Sequence, residues 1–250
     1  MLRVDVVTIF PRMVEAPVAD GIVQRARDKG LLDLRVHDLR DFTDDKHRSV
    51  DDAPFGGGPG MVMKAEPFQR AVADVLPEGA GAARAVVLLS PRGRPFDQAT
   101  AQRYAGLQRL VLLCGRYEGI DERVAETVAT EEVSLGDFVL TGGEVAALAV
   151  IEATMRLLPG ALGDEGSAEA DSFADGLLDY PHFTRPAQVG GRGVPEVLLS
   201  GDHGRIRRWR RKESLRATRA RRPELLDRAV LTVEDRALLS EIENEEKVLA

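Results

Sequence analysis

The first 160 residues alternate short apolar runs with segments of helical composition, and this alternation restricts the possible folds more than any other feature. The strand-like runs, rich in Val and Leu, are residues 3–10, 34–39, 84–89 and 110–114. The helical segments are residues 13–27, 66–76, 96–107, 121–127 and 144–158. Alternation of this kind is typical of an α/β domain in which helices cover both faces of a mostly parallel sheet.

The composition is that of a globular protein. The 250 residues are enough for one large or two modest domains, and a hydrophobic fraction of 44% is too high for a disordered chain. The single Cys114 can form neither an internal disulfide nor a Cys-based zinc site. No apolar run approaches the length of a membrane span, and residues 1–10 alternate like a strand rather than a secretory signal. We therefore expect a cytoplasmic protein with no membrane contact.

The composition changes after residue 160. Residues 161–182 contain six acidic side chains and no Lys or Arg, and a segment that repels itself and buries little apolar surface behaves as a linker. Further on, Asp202 is placed to cap a basic helix, and Thr232 with Asp235 resembles a capping box. We predict a domain over residues 1–160, a flexible acidic linker over 161–176 and a helical domain over 177–250.

Positive charge is concentrated in one segment. Residues 205–222 carry ten Arg or Lys side chains against one acid, Glu213, in a chain whose formal net charge is −7. A basic segment in an acidic chain predicts an anionic partner, such as a nucleic acid. The alternative is a solvated helix with surplus arginine, but arginines at this density repel one another unless something neutralises them.

Four glycine-containing segments stand out, at residues 54–61, 90–93, 114–121 and 134–144. None matches the dinucleotide-binding or P-loop pattern, which disfavours an ordinary nicotinamide enzyme or ATPase. The last three follow or surround apolar runs, and ligands of open α/β sheets bind beyond the carboxyl ends of strands. Loops with bare backbone N–H and C=O groups can hold a small molecule there, although each glycine taken alone could serve only turn geometry.

Five motifs together indicate a family, and several of them are long enough that chance agreement is remote. They are Phe55-Gly-Gly-Gly-Pro-Gly-Met-Val-Met-Lys64, Cys114-Gly-Arg-Tyr-Glu-Gly-Ile-Asp-Glu-Arg123, Gly136-Asp-Phe-Val-Leu-Thr-Gly-Gly-Glu144, Asp171-Ser-Phe173 and Gly176-Leu-Leu-Asp-Tyr-Pro-His-Phe-Thr-Arg-Pro186. They resemble the bacterial tRNA (guanine-N1)-methyltransferases, members of the SPOUT class. The resemblance runs over nearly the whole chain. It implies an α/β SPOUT fold with a deep trefoil knot, followed by a small α-helical C-terminal domain; general topology rules would not predict a knot.

The resemblance implies S-adenosyl-L-methionine as methyl donor, held mostly by backbone hydrogen bonds. The implied donor-binding residues are Leu89, Ser90, Pro91, Gly115, Tyr117, Glu118, Gly119, Ile120, Ser134, Leu135, Gly136, Asp137, Phe138, Val139, Leu140, Gly142 and Gly143. It also implies Mg²⁺, for which the sequence shows no dedicated set of oxygen ligands and only Glu118 as a candidate contact. Leu88, Phe138 and Phe183 stand where the family commonly has Tyr, so the hydrogen bonds of those hydroxyls are lost.

The implied reaction is methylation of N1 of guanosine 37 in tRNA, next to the anticodon. Guanine N1 carries a proton at neutral pH, so the reaction needs a base for that proton and a positive group for the charge that spreads onto O6. The family pattern assigns these roles to Asp171 and Arg156. Without the resemblance, Asp171 would be one more solvated carboxylate. A base on a flexible linker would become ordered only when tRNA docks.

The resemblance further implies a homodimer in which one subunit's donor site meets the other's linker and C-terminal domain. We expect the basic segment to follow the phosphates of the tRNA anticodon stem-loop, rather than DNA, with strong salt dependence. The target guanine must leave its stack to expose N1. The candidate tRNA-binding residues are Asp179, His182, Arg185, Arg205, Arg207, Arg208, Trp209, Arg210, Lys46 and His47. His182 could equally be a turn histidine with no role in binding.

Two other functions stay open at this point. A non-catalytic RNA-binding protein would share the basic helix but would not bind S-adenosylmethionine. Another SPOUT enzyme, acting on ribosomal RNA or on a ribose 2′-hydroxyl, would need no base for guanine N1. In that case, replacement of Asp171 would leave the enzyme largely active.

Overall fold

A computed structural model describes residues 1–76, 83–163 and 171–249 of the chain, with side chains through residue 248. The chain divides into two compact units, Met1–Asp164 and Glu165–Ala250. Residues 164–170 of the predicted linker lie outside the described residues. None of the helices in the described ranges is long and apolar enough to cross a membrane.

The first unit is built on a five-stranded sheet in which every pair of neighbouring strands is parallel. Its strands are β1 (Leu2–Thr8), β2 (Leu32–Asp38), β5 (Arg84–Pro95), β6 (Arg109–Cys114) and β7 (Glu131–Ser134), in the order β2-β1-β6-β5-β7. Two short strands, β3 (Asp51–Asp52) and β4 (Val62–Met63), form a separate antiparallel pair. The predicted α/β fold with a mostly parallel sheet is confirmed, and the trefoil knot stays a prediction.

Helices cover both faces of this sheet. They are α1 (Arg12–Glu15), α2 (Gly21–Asp28), a 3₁₀ helix (Leu39–Phe42), α3 (Ala65–Val75), α4 (Gln98–Ala105), α5 (Glu122–Thr127) and α6 (Glu144–Met155). One face packs against α1, α2, α4 and α6, and the other against the 3₁₀ helix, α3 and α5. Because strand side chains alternate between faces, Val6 of β1 enters the first core and Val7 the second.

Two elements differ from the sequence prediction. Residues 13–27 form two helices rather than one, because the chain turns between α1 and α2 at Pro17, which lacks the backbone donor of a continuous helix. The sequence does not predict strand β7, because β7 is a polar edge strand and not an apolar run. Its Glu131 side chain accepts hydrogen bonds from Arg94 and Arg103, both at 2.7 Å.

The second unit is mainly helical. Its elements are β8 (Gln188–Val189), β9 (Arg192–Gly193), α7 (Glu196–Leu199), α8 (His203–Arg221), α9 (Pro223–Leu226) and α10 (Val233–Leu249). A small core of Leu177, Leu215, Leu238 and Ile242 holds it together. Both predicted caps are confirmed. The Asp202 carboxylate accepts two backbone hydrogen bonds at 3.0 Å at the start of α8, and Thr232 and Asp235 exchange hydrogen bonds of 2.9 and 3.1 Å before α10.

Candidate active site

A cavity of about 330 Å³, the strand-end cavity, opens at an interruption of β5 and beyond the ends of β6 and β7. These strands are neighbours and parallel, so the interruption of β5 and the loops that follow β6 and β7 lie at one edge of the sheet and form the walls. The lining contains every implied donor-binding residue except Gly136 and Asp137. The structure thus gathers these residues in one place, and their binding of a donor stays a prediction.

The first wall is made by an interruption of β5. Leu89 and Arg94 both pair with Val133 of β7, so residues 90–93 leave the sheet between them. Gly93 makes this possible, because a Cβ atom there would lie only 2.5 Å from the carbonyl carbon of Glu132. The glycine of this segment therefore serves close backbone packing, while Ser90 and Pro91 line the cavity.

The second wall is the loop of residues 115–121 after β6. It bends through left-handed backbone conformations at Tyr117 (φ 61°) and Gly119 (φ 142°). The glycine-rich segment before α3 supports this loop from outside the cavity. The N–H of Glu118 donates to the Met61 carbonyl at 3.1 Å, and the N–H of Met63 donates to the Gly119 carbonyl at 3.0 Å.

The third wall is the loop of residues 135–143 between β7 and α6. At its start, Gly136 has a φ of 151°, and its N–H donates to the Ser134 hydroxyl at 3.1 Å. At its end, the N–H of Gly143 donates to the Gly115 carbonyl at 3.0 Å and joins this wall to the second. A Cβ atom at Gly143 would lie 2.8 Å from the Cα of Cys114, so no larger residue fits there without a shift.

The charged side chains of the strand-end cavity are three acids and two arginines: Glu118, Glu122, Glu132, Arg92 and Arg116. At the rim, Arg92 pairs with Glu122 at 2.8 Å and lies 3.6 Å from Glu132. The hydrogen bond from Arg92 lowers the pKa of Glu122, so this carboxylate is ionised at neutral pH. The walls therefore combine glycine-rich backbone, which carries no side chains, with a slight excess of negatively charged side chains.

Two kinds of chemistry find no support at this cavity. Cys114 ends β6 beneath the cavity, and burial raises the pKa of its thiol, so the sulfur is not an activated nucleophile. Within the described ranges, no three His, Cys, Asp or Glu side chains come together as a metal site. Mg²⁺, and Glu118 as its contact, stay predictions.

The sequence analysis missed two charged residues that hold the walls together, Arg116 and Glu144. The Glu144 side chain is fully buried, and Arg116 pairs with it at 2.8 Å. Both lie inside the motifs quoted above. The available signal was an acid directly after Gly142-Gly143 at the start of an apolar helix, where the helix N-terminus favours a carboxylate.

The two predicted catalytic residues lie in different units. Arg156 caps the C-terminus of α6 in the first unit and is half-buried. Asp171 is half-buried at the start of the described part of the second unit. Their catalytic roles stay predictions.

The second unit contains a cavity of its own, about 390 Å³, which we call the aromatic cavity. Its lining includes Tyr180, His182, Phe183, Arg185, Trp209 and Arg210. The Tyr180 and His182 rings lie 4.6 Å apart, and the Arg210 guanidinium lies 5.0 Å from the Tyr180 ring centre. His182 Nε2 is 2.7 Å from the Asp179 carboxylate, which orients the imidazole. Four of the predicted tRNA-binding residues, His182, Arg185, Trp209 and Arg210, thus line one concave surface, and Asp179 supports it.

The basic residues of α8 differ in their partners. Five of them pair with acids of α10: Arg208, Arg211, Lys212, Arg216 and Arg219. By contrast, Arg205 and Arg207 are exposed, and no carboxylate of the described residues lies within ion-pair distance of either. The pairing with α10 relieves the repulsion that the sequence suggests, and it leaves the N-terminal part of α8 positively charged.

Lys46 and His47, the remaining candidates, are exposed in a turn of the first unit before β3. The backbone N–H of His47 donates to the Asp45 carboxylate at 3.0 Å, which closes this turn.

Fold and site together define a class of protein. It is an α/β protein with a small-molecule cavity lined by backbone at the carboxyl ends of adjacent parallel strands. A helical unit with an arginine-rich, aromatic surface follows in the same chain. Such a surface is typical of proteins that bind nucleic acids.

Comparison with known proteins narrows this class. A family model described as tRNA (Guanine-1)-methyltransferase TrmD matches residues 2–228. Two relatives carry the name tRNA (guanine-N(1)-)-methyltransferase. The protein of Geobacter metallireducens is 54% identical, and the alignment covers 97% of this chain and 98% of the relative. The protein of Dehalococcoides mccartyi is 53% identical, and the alignment covers 98% of both chains. The chain belongs to the tRNA (guanine-N1)-methyltransferase family.

Proposed function

We propose that this enzyme transfers the methyl group of S-adenosylmethionine to N1 of guanosine 37 in tRNA. The observation that carries the proposal is the strand-end cavity, in a chain that matches a tRNA (guanine-N1)-methyltransferase family over most of its length. A tRNA substrate also supports the cytoplasm as the site of action. The donor, the target nucleotide and the catalytic residues are argued in turn below.

The strand-end cavity fits a donor of this kind. Its volume of about 330 Å³ falls in the usual range for small-molecule sites. The glycines at 115, 119, 142 and 143 add no side chain to the lining, so a ligand can approach the main chain closely there. The negative charges of Glu118 and Glu132 complement a ligand that carries a sulfonium and an ammonium group. When bound, the donor supplies an electrophilic methyl group.

The residues of this chain then act on the guanine. We assign Asp171 as the base that accepts the N1 proton, because N1 has no free electron pair for the methyl group until that proton leaves. We assign Arg156 to stabilise the negative charge that spreads onto O6 of the deprotonated base. Both follow the family pattern, and a homodimer would allow one subunit's linker to complete the other subunit's site.

Replacement of Asp171 tests this assignment. In Asp171→Asn we expect kcat for methyl transfer to fall by about 10²–10⁴-fold, the usual contribution of a general base, while calorimetry shows unchanged binding of S-adenosylhomocysteine. Glu169→Gln, which removes a neighbouring acid of the same segment, is the matched control and should keep full activity. Full activity in Asp171→Asn would contradict the assignment.

The nucleotide at position 37 distinguishes the alternatives. Transcripts with guanosine or inosine at this position should accept the methyl group, because both carry an N1 proton beside a 6-oxo group, whereas adenosine should not. Equal transfer to the adenosine transcript would favour an enzyme with another target. Absence of S-adenosylhomocysteine binding to the wild type would favour a non-catalytic RNA-binding protein.

We further propose that the aromatic cavity and the free N-terminal part of α8 bind the anticodon stem-loop. Arg205 and Arg207 can contact phosphates, and the Trp209 and Tyr180 rings offer faces on which an unpaired base stacks. Trp209 is the only Trp of the chain, so its fluorescence reports on this surface alone. We expect quenching on addition of the anticodon stem-loop; an unchanged spectrum at saturation would contradict this proposal.

An exposed apolar patch supports the homodimer. Phe10, Met13, Leu140 and Val145 are exposed. The Arg116 side chain stacks on Phe10 and contacts Met13, and it donates to the carbonyl of Thr141, the residue after Leu140. Exposed apolar side chains gathered beside an active site are typical of an interface with another protein surface. Met13→Glu combined with Val145→Glu should shift the protein to monomers in sedimentation measurements, and an unchanged sedimentation coefficient would contradict the proposal.

A further inference from the structure

The strand-end cavity depends on a buried ion pair that does not belong to the donor-binding set. Glu144 is the first residue of α6, and its side chain is completely buried. The Thr8 hydroxyl donates to Oε1 of this carboxylate at 2.6 Å. Nε of Arg116 donates to Oε1 at 3.2 Å and to Oε2 at 3.0 Å, and Nη2 lies 2.8 Å from Oε2. Both oxygens of a carboxylate that has no access to water are thus satisfied.

Arg116 extends the contact to the loops of the strand-end cavity. It follows Gly115 in the second wall, and its Nη1 donates to the carbonyl of Thr141 in the third wall at 3.3 Å. Its guanidinium also lies 4.6 Å from the centre of the Phe10 ring, just after β1. One arginine therefore connects the ends of three strands, and Glu144 fixes that arginine.

The backbone of the two walls is built around this pair. Arg116 and Gly142 form an antiparallel bridge, and a Cβ atom at Gly142 would lie 2.6 Å from the Glu144 carboxylate. A side chain at position 142 would therefore clash with the ion pair, so the pair requires glycine there. The Gly142-Gly143-Glu144 sequence therefore acts as one unit. Gly142 leaves space for the ion pair, Gly143 leaves space for the backbone of Cys114, and Glu144 holds Arg116 of the second wall.

Stability alone does not account for such a pair. The cost of removing two charges from water offsets most of their attraction, so a buried ion pair adds little net stability compared with apolar residues of the same size. What it adds is geometry, since the planar guanidinium is held in one orientation by its Nε, which donates to both carboxylate oxygens. A cavity whose ligand is held by backbone groups needs its loops held at fixed positions.

We propose that Glu144 is a positioning residue of the methyl transfer. It acts through Arg116 to hold the second and third walls of the strand-end cavity in their binding geometry, and it does not touch the donor itself. This inference rests on the proposed function for the identity of the ligand. The side-chain network itself is independent of that identity.

Glu144→Gln tests the inference, because it keeps the shape of the side chain and removes its charge. We expect S-adenosylhomocysteine to bind on the order of 10²-fold more weakly, the cost of a misplacement of about 1 Å in a preorganised site, and KM for the donor to rise by a similar factor. Hydrogen exchange at the amides of residues 115–120 and 140–143 should accelerate. Binding of tRNA in the absence of donor should not change.

A second buried carboxylate provides the matched control. Asp5 in β1 is also fully buried and pairs with Arg3 and His37, both at 2.8 Å, but none of these three residues lines the strand-end cavity. Asp5→Asn should lower the melting temperature while it leaves the affinity for S-adenosylhomocysteine within twofold. Equal losses of affinity in Asp5→Asn and Glu144→Gln would mean that only general stability was lost, and would overturn the inference.

A second variant covers the case in which Glu144→Gln does not fold. Arg116→Lys keeps the charge but loses the planar guanidinium and its Nε donor to Glu144. It should weaken donor binding, with faster exchange in both loops. If the folded variants bind S-adenosylhomocysteine like the wild type, the inference fails while the proposed function stands. If the wild type itself does not bind this ligand, the proposed function fails instead.

Discussion

The two cavities have similar volumes, about 330 and 390 Å³, but they are built from different parts of the chain. The strand-end cavity is lined by glycine-rich loops, and its shape depends on close backbone contacts such as that of Gly143 with Cys114. The aromatic cavity is lined by rings and guanidinium groups on one helix and one turn. A small ligand of fixed shape suits the first construction, whereas a long flexible polyanion suits the second.

The two constructions differ in their tolerance of substitution. A backbone-lined cavity fails when a single methyl group is added, because main-chain atoms cannot move aside independently. A surface of exposed arginines loses affinity in small, additive steps that depend on salt. The predictions below test this contrast, starting with the largest effect.

The largest effect is expected from Gly143→Ala. The added Cβ would lie 2.8 Å from the Cα of Cys114 and 3.2 Å from the backbone nitrogen of Gly115, so the second and third walls must separate. We expect a loss of about 1–3 kcal/mol in the free energy of unfolding, typical of overpacking, and loss of measurable S-adenosylhomocysteine binding by calorimetry.

Gly106→Ala is the control for this change. It adds the same methyl group at the end of α4, where the nearest atom, the Arg103 carbonyl oxygen, is 3.5 Å away in ordinary contact. This variant should bind the ligand normally. Wild-type binding by Gly143→Ala would show that the strand-end cavity is not held by its backbone packing.

The second prediction concerns acid stability of the helical unit. The hydrogen bond from Arg211 lowers the pKa of Asp235 to about 2, against the cost of burial. A carboxyl group whose pKa is lower in the folded state stabilises the fold above its unfolded pKa near 3.8 and loses that contribution as the pH falls through 2.

We therefore expect about 2 kcal/mol of the unfolding free energy of this unit to disappear between pH 4 and pH 2, on the scale of 1.36 kcal/mol for each pKa unit. Trp209 fluorescence during denaturant titrations at each pH measures this loss, because the only Trp lies in this unit. Asp235→Asn should be less stable at pH 7 and should show a flatter pH dependence. A wild-type profile that is already flat would contradict the role of the Arg211 pair.

The smallest effect should come from the free arginines of α8. Replacement of both Arg205 and Arg207 by Ala should reduce the slope of log K against log salt for tRNA binding by about 1.4–1.8, since each phosphate contact contributes about 0.7–0.9. Arg216→Gln combined with Glu245→Gln removes an ion pair of 2.7 Å without changing the net charge, and should keep the slope. If both double variants reduced the salt slope equally, the arginines that pair with α10 would contribute to tRNA binding as much as Arg205 and Arg207 do, and the proposed difference between them would be wrong.

Much of the molecule follows from local sequence. The apolar runs of β5 and β6 predict strands because a strand buried on both faces needs side chains without polar groups. In β1 and β2 apolar and polar residues alternate, which also predicts strands. The caps at Asp202 and Thr232 predict the starts of α8 and α10, because a capping bond joins residues only two or three positions apart. The glycine motifs also indicate which loops form the strand-end cavity, and the resemblance they carry leads to the family.

What the sequence alone does not determine depends on contacts between distant residues. Strand β7 is recognisable only beside β5, which supplies its backbone partners and the arginines that pair with its glutamates. The link between Arg116 and Glu144 spans 28 positions, and that between Thr8 and Glu144 spans 136. The division of α8 into paired and free arginines likewise requires α10 to lie against it. Local composition determines which segments become helix or strand, whereas the partners of a buried charge are chosen only when the folded chain brings them together.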